Sequence, residues 1–237
     1  MLNYEEFEQA ISAPRAQRYL QTTIDPVTGE SDPLGAIALY EQNSRLSAQT
    51  WGTIADVEVV LRNIIASAVS DHHAVLRPDP MLRWYDEPSW FLTGKGFTTK
   101  TVKSLTIAKR RINDPGPESD RVRPSQGKLV AELTLGFWRY LLIARYEHSL
   151  WNPAIRSKFP ALGHLSGSES RRQVYDRVEK LNYLRNRVAH HEPIYEPFTI
   201  PGHRQVIDPV RVLADAVEMI SWNSPRVAEW ISSQSGL

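Results

Sequence analysis

Leu181-Asn182-Tyr183-Leu184-Arg185-Asn186-Arg187-Val188-Ala189-His190-His191-Glu192-Pro193 decides how the chain is read. Leu181 and Val188 fall on one helical face, and Val174 and Val178 extend that stripe toward the N-terminus. Apolar residues recurring every three or four positions mark an amphipathic α-helix, here one that begins at Ser168 or Ser170. Pro193 disfavours helical backbone at Glu192, which predicts an end near His191. Arg185 lies on the apolar stripe itself, where a guanidinium needs a partner. Asn186 and His190 are four apart and share a different face with Tyr183.

The segments on either side are helical too. Toward the C-terminus, Asp208-Pro209 caps a helix running through Trp222, and Ser224-Pro225 caps a last one carrying Val227, Trp230 and Ile231. Toward the N-terminus, Phe159 to Gly167 reads as a loop and Leu150-Trp151-Asn152-Pro153 as a break. Before it, Ser125 starts a helix that is apolar nearly all round, from Leu129 and Val130 through Phe137 and Trp138 to Ile143. Such a helix belongs in the middle of a bundle. Asp114-Pro115-Gly116-Pro117 ends a helix spanning Thr98 to Asn113, whose Lys109, Arg110 and Arg111 are expected to be exposed.

Residues Arg77 to Gly96 lack a sustained period and carry Trp84, Tyr85, Trp90 and Phe91. Aromatic residues in such a loop either stack bases or plug the edge of a helical core, and the second reading is favoured. Thr50 to Asp71 forms a long helix whose broad apolar face includes Ile54, Val57, Leu61, Ile64 and Ile65. Glu58 and Arg62 are spaced to pair along it. His72 and His73 fall where it is expected to end, facing the negative end of its dipole. A separate helix, capped by Asp32 with Pro33 at its first position, precedes it and carries Leu34, Ile37, Ala38 and Leu46. Most of Asp25 to Pro33 is a loop. Asn3 with Glu6 opens the first helix, and Pro14 opens the second. No stretch alternates as a strand and no repeat recurs at solenoid spacing, so residues 1–237 read as one all-α domain.

Composition narrows the function. With 237 residues, 41% apolar and 23% charged, the chain can bury a sizeable core. A net charge of +1 means that any affinity for nucleic acid rests on a local basic patch. The absence of cysteine removes disulfides, thiolate nucleophiles and Cys-ligated zinc together. Glu5, Glu6 and Glu8 stand where a secretory signal carries basic residues, and no apolar run reaches membrane-spanning length. The expectation is a cytoplasmic protein with no membrane partner.

Arg185, Asn186 and His190 together suit metal-independent RNA cleavage. RNA supplies its own nucleophile, the 2′-hydroxyl beside the scissile phosphate. A histidine of near-neutral pKa can move the protons, and an arginine fork can steady the charge gathering on phosphorus. Attack by O2′ with loss of O5′ leaves a 2′,3′-cyclic phosphate. On a continuous helix, however, Arg185 and His190 project roughly 140° apart. They converge only through arginine's length, a loosened last turn, or a second copy facing the first across a two-fold axis. Spacing alone leaves open a structural Arg–Glu pair beside a solvated histidine. A metal site at His190, His191 and Glu192 is disfavoured, because consecutive histidines point to different sides of a helix.

The segment from Leu181 to Tyr195 resembles the signature of Abi-like (abortive-infection) proteins of the HEPN superfamily. The resemblance extends to Asp56-Val-Glu-Val-Val-Leu-Arg-Asn-Ile-Ile65 and to Gly127-Lys-Leu-Val-Ala-Glu-Leu-Thr-Leu-Gly-Phe-Trp138, in the family order. It implies a HEPN-like helical bundle with additional helices and aromatic-rich loops. It also implies a homodimer and a metal-independent endoribonuclease acting in phage defence or as a toxin, with a protein or RNA antitoxin as a possible partner. The family motif falls on Arg185, Asn186 and His190. His191, Glu58, Arg62 and Asn63 lie in matching blocks as supporting residues. No cofactor is implied. Arg171, Arg172, Arg177, Lys180 and Arg187 are candidates for tracking the RNA backbone, against the reading that they form a solvated helix face. The superfamily also contains members that only bind RNA, so a non-catalytic RNA-binding or regulatory dimer is the alternative.

Overall fold

The computed structural model describes residues 2–79, 83–86, 100–113, 126–200 and 205–235. Trp90, Phe91, Thr98, residues 114–117 and Ser125 lie outside them. The fold is all-α. Its helices are α1 (Tyr4–Ile11), α2 (Ala13–Thr22), α3 (Pro33–Leu76), α4 (Lys100–Asn113), α5 (Gln126–Glu132), α6 (Leu135–Tyr140), α7 (Gly167–Ala189), α8 (Pro209–Ser221) and α9 (Pro225–Ser235). A π-helical segment, Glu147–Ile155, and short 3₁₀ turns join α6 to α7. β1 (Phe198–Thr199) and β2 (Val206–Ile207) pair antiparallel, a two-stranded ribbon where no strand was expected.

Helix α3 is the spine. At 1.5 Å per residue its 44 residues span about 66 Å, and α1, α2, α5 to α9 and the π-helical segment pack along it. Asp32 caps it through a 2.8 Å bond to the Gly35 N–H, and Pro33 takes the first turn. The two helices expected between Pro33 and Asp71 are therefore one. No residue between them breaks the ladder, and Gly52 sits within it. The expected N-terminal stripe was also misplaced. Leu34 is 59% exposed and Ala38 is exposed, whereas Ala36, Asn43 and Thr50 are buried. That half packs by small and polar residues. The C-terminal half buries Ile54, Val57, Leu61, Ile65 and Val69 almost completely. At roughly 1.5–3 kcal/mol for each large apolar side chain, it anchors the fold. The helix runs on to Leu76, which leaves His73 in its last turn, close to the expected end.

The apolar run from Leu129 to Ile143 is not one helix. Thr134 adopts extended backbone, breaking α5 from α6, and Glu58 of α3 accepts a 3.1 Å bond from the Leu135 N–H at the new N-terminus. Because apolar residues occur nearly all round the run, its periodicity carried no sign of the break. Leu150–Pro153, expected to interrupt the helix, instead lies within the π-helical segment, whose Leu150 and Trp151 are fully buried. Trp84 and Tyr85 do plug the core, edge-on to one another, with Trp84 against Phe137 and Trp138. Lys109 is half-buried, 3.2 Å from Asp86 and over the Tyr85 ring, rather than exposed.

The expected caps form at Asn3, Asp32 and Asp208. Asn3 and Glu6 form a reciprocal capping box on α1, and Asp208 accepts from the Val210 and Arg211 N–H groups on α8. Helix α7 starts slightly earlier than expected, with Ser166 as its cap. Its Val174, Val178, Leu181, Leu184 and Val188 stripe is buried against neighbouring elements that include α3, α6 and α8. Arg139 of α6 reaches Glu179 at 2.9 Å, and Tyr175 donates to the same carboxylate. Burial and that carboxylate push the Tyr175 phenol up to about 12.

Candidate functional site

The C-terminal end of α7 is built by its last turn. The Glu192 N–H bonds the Arg187 carbonyl at 2.9 Å, and the His191 N–H bonds the Val188 carbonyl at 3.0 Å. These two bonds close a Schellman cap. His191 occupies its left-handed position with φ 56°, where glycine is usual. The helix stays regular through Ala189, so no loosened turn swings His190 toward Arg185. Asn186 and His190 are both exposed, and no hydrogen bond joins either side chain to Arg185 among the described residues.

Arg185 finds a partner of an unexpected kind. Its guanidinium carbon lies 5.5 Å from the centre of the Trp51 ring on α3, and its buried Nε has no hydrogen-bond partner. Among the described residues it forms no ion pair with a carboxylate. A cation held on an aromatic face keeps its charge uncompensated while the ring fixes its position.

The supporting residues are less closely gathered. Glu58 caps α6 instead of pairing with Arg62, whose Nε is buried without a partner. Asn63 is exposed. No hydrogen bond or ion pair connects these three to Arg185 or His190 among the described residues.

The basic residues divide sharply. Arg171 is 9% exposed, with Nε 3.0 Å from Glu147 and Nη1 2.8 Å from the Leu142 carbonyl, so it cannot track RNA without breaking the fold. Arg177 stacks over Trp222 at 4.3 Å and pairs with Glu218 at 2.9 Å. Arg187 is committed to Glu192, to the Pro193 carbonyl and to the Phe198 ring. Burial draws its guanidinium below the ordinary value, and Glu192 opposes that shift. Arg172 is exposed, Lys180 is half-buried, and neither has an ionic partner among the described residues.

Sequence reasoning missed Arg15 and Arg18. Both are exposed on α2, and Arg15 Nη2 lies 3.5 Å from the His190 carbonyl. With His191 and Glu192 they border a recess of about 440 Å³. Neither forms an ion pair among the described residues. Nothing local in the sequence links α2 to the end of α7, since Arg15 and His190 are 175 residues apart. Aromatic contacts bring them together: Tyr19 packs against Tyr40 and Tyr195, and the Thr22 and Tyr195 hydroxyls lie 2.9 Å apart.

Arg15 and Arg18 thus bring two cations to the end of α7 beside His191, with Glu192 in the same recess, on a chain whose net charge is +1. That recess can attract a phosphate and place an imidazole beside it. Among the described residues, no group of three or more His, Asp or Glu is placed to share a metal ion, and no helix is long and apolar enough to cross a membrane. Comparison with protein-family models, curated proteins and solved structures finds no match.

Proposed function

We propose that the chain is an RNA-binding protein of the Abi-like HEPN type and a metal-independent endoribonuclease, acting in phage defence or as a toxin. The observation that carries this reading is Arg185, anchored on Trp51 without a carboxylate among the described residues, five residues before exposed His190. A paired arginine has spent its fork on the fold, whereas an uncompensated one can take a phosphate. In the reaction, O2′ forms a bond to phosphorus as the P–O5′ bond breaks. One imidazole takes the 2′ proton and another returns a proton to O5′. Arg185 stabilises the phosphorane charge and Asn186 orients the phosphate or the imidazole. Helical geometry separates Arg185 from His190 on one chain, so each protomer of a homodimer supplies half the site.

The test compares wild type with His190→Ala on RNA, with each protein's fold checked by circular dichroism. The expected products from wild type carry 2′,3′-cyclic phosphate and 5′-hydroxyl ends, and the variant loses them. Equal cutting rates for the two proteins would remove His190 from the mechanism.

A non-catalytic RNA-binding dimer is the second reading, favoured by the separation of Arg185 from His190 and by Arg15 and Arg18, which form no ion pair among the described residues. It predicts salt-sensitive RNA binding with no cyclic ends.

A further inference from the structure

Tyr40, Asn43, Ser47 and Trp51 recur at three- and four-residue spacing on α3, and so share one face over three turns. Phe7 and Tyr19 pack edge-on against Tyr40, and beyond them the face opens on a recess. With Val188 and His191 at the end of α7, it borders a cavity of about 640 Å³, within the range of small-ligand sites. No carboxylate lines it.

Its polar groups are set for a ligand. Asn43 is 4% exposed, and its Oδ1 accepts a 2.7 Å bond from the Ile194 N–H, which fixes the orientation of the amide. The Asn43 Nδ2 then donates to no group among the described residues. The buried Ser47 hydroxyl also has no partner. Trp51 is 41% exposed at the mouth, with Arg185 held against its ring.

We propose that this cavity is a nucleotide subsite. The base lies against the aromatic wall of Trp51 and Tyr40, and its ring nitrogen or carbonyl accepts from Asn43 Nδ2. The attached phosphate meets His191 and points out of the cavity toward Arg185, which rests on Trp51 but does not line the cavity. Each part excludes a simpler occupant. A purely apolar ligand leaves Asn43 and Ser47 unpaired, which is unfavourable in a buried site. A sugar phosphate has no π-face to offer Trp51. The inference rests on the RNA reading only in taking the nucleotide as one unit of a chain.

Calorimetric titration of the full chain with adenosine, guanosine and uridine 5′-monophosphates, and with ribose 5-phosphate, tests it. At least one nucleotide is expected to bind at least tenfold more tightly than ribose 5-phosphate. Trp51→Leu is expected to weaken nucleotide binding on the order of tenfold. Ser47→Leu, which fills the cavity, abolishes binding while thermal melting shows a folded protein. Equal binding of ribose 5-phosphate, no binding by wild type, or unchanged affinity in folded Ser47→Leu overturns the proposal. So does a cavity filled by a second copy of the chain, seen as self-association that Ser47→Leu disrupts without any nucleotide response.

The subsite and the ribonuclease reading fail separately. Nucleotide binding by a protein that yields no cyclic ends preserves the subsite and sinks cleavage. Cyclic ends from a protein with no nucleotide affinity do the reverse.

Discussion

Two arginines on α7 sit about four turns apart and are treated in opposite ways. Near the N-terminal end, Arg171 is sealed between Glu147 and the Leu142 carbonyl, while Ser168 donates to the same Glu147 carboxylate. Near the C-terminal end, Arg185 rests on the face of Trp51, and among the described residues its Nε has no partner. Arg171 is buried and Arg185 half-buried, but the degree of burial does not by itself set what each can do. Their partners do. A guanidinium matched by a carboxylate and a carbonyl is part of the frame, and one resting on a π-face stays available to an anion.

The largest effect that would test this contrast is at the closed end. Arg171→Ala leaves Glu147 without its counter-charge and is expected to lower Tm on the order of 10 °C. RNA affinity, measured where the variant is still folded, is expected to be unchanged. Arg185→Ala is expected to reverse the pattern. Its Tm stays within a few degrees of wild type while RNA cleavage falls on the order of 100-fold in single-turnover assays. If Arg185→Ala unfolds the protein and leaves cleavage intact in the folded fraction, the two arginines are not different in kind.

A smaller effect is expected in acid. The Ser168 hydroxyl, and then Arg171, hold the Glu147 carboxyl below the ordinary glutamate value of about 4.3. The stability from this depressed pKa is complete above that value and drains away as pH falls through the folded-state pKa. Urea midpoints measured from neutral to acid pH are expected to fall less steeply in Glu147→Gln. An unchanged acid limb would show that this end is closed by packing rather than charge.

The same division runs through what could be read from the chain. Val174, Val178, Leu181 and Val188 announced α7, and Asn3, Asp32 and Asp208 announced helix starts, because these signals are local. The C-terminal half of α3 was legible for the same reason. Its N-terminal half was not, since its buried face is built from Ala36, Tyr40, Asn43, Ser47 and Thr50, which carry no hydrophobic period. The break at Thr134 depends on a carboxylate 77 residues away, and Pro153 signalled a break that the π-helical backbone absorbs. At the site, the need of Arg185 for a partner was visible, but Trp51 as that partner was not. The burial of Arg171, Arg177 and Arg187 was equally invisible, because Glu147, Trp222 and Phe198 meet them only through the tertiary fold.

The left-handed turn at His191 places the molecule on a trade-off between stability and function. There the Cβ of an L-residue crowds the following carbonyl oxygen, at a conformational penalty of about 1 kcal/mol that glycine would escape. His191→Gly is therefore expected to raise Tm by roughly 2 °C in a thermal melt. It would also strip the imidazole that lines both the α3 cavity and the recess beside Arg15 and Arg18. A variant that melts higher yet binds RNA less well would mark this residue as one whose side chain matters more than its backbone comfort.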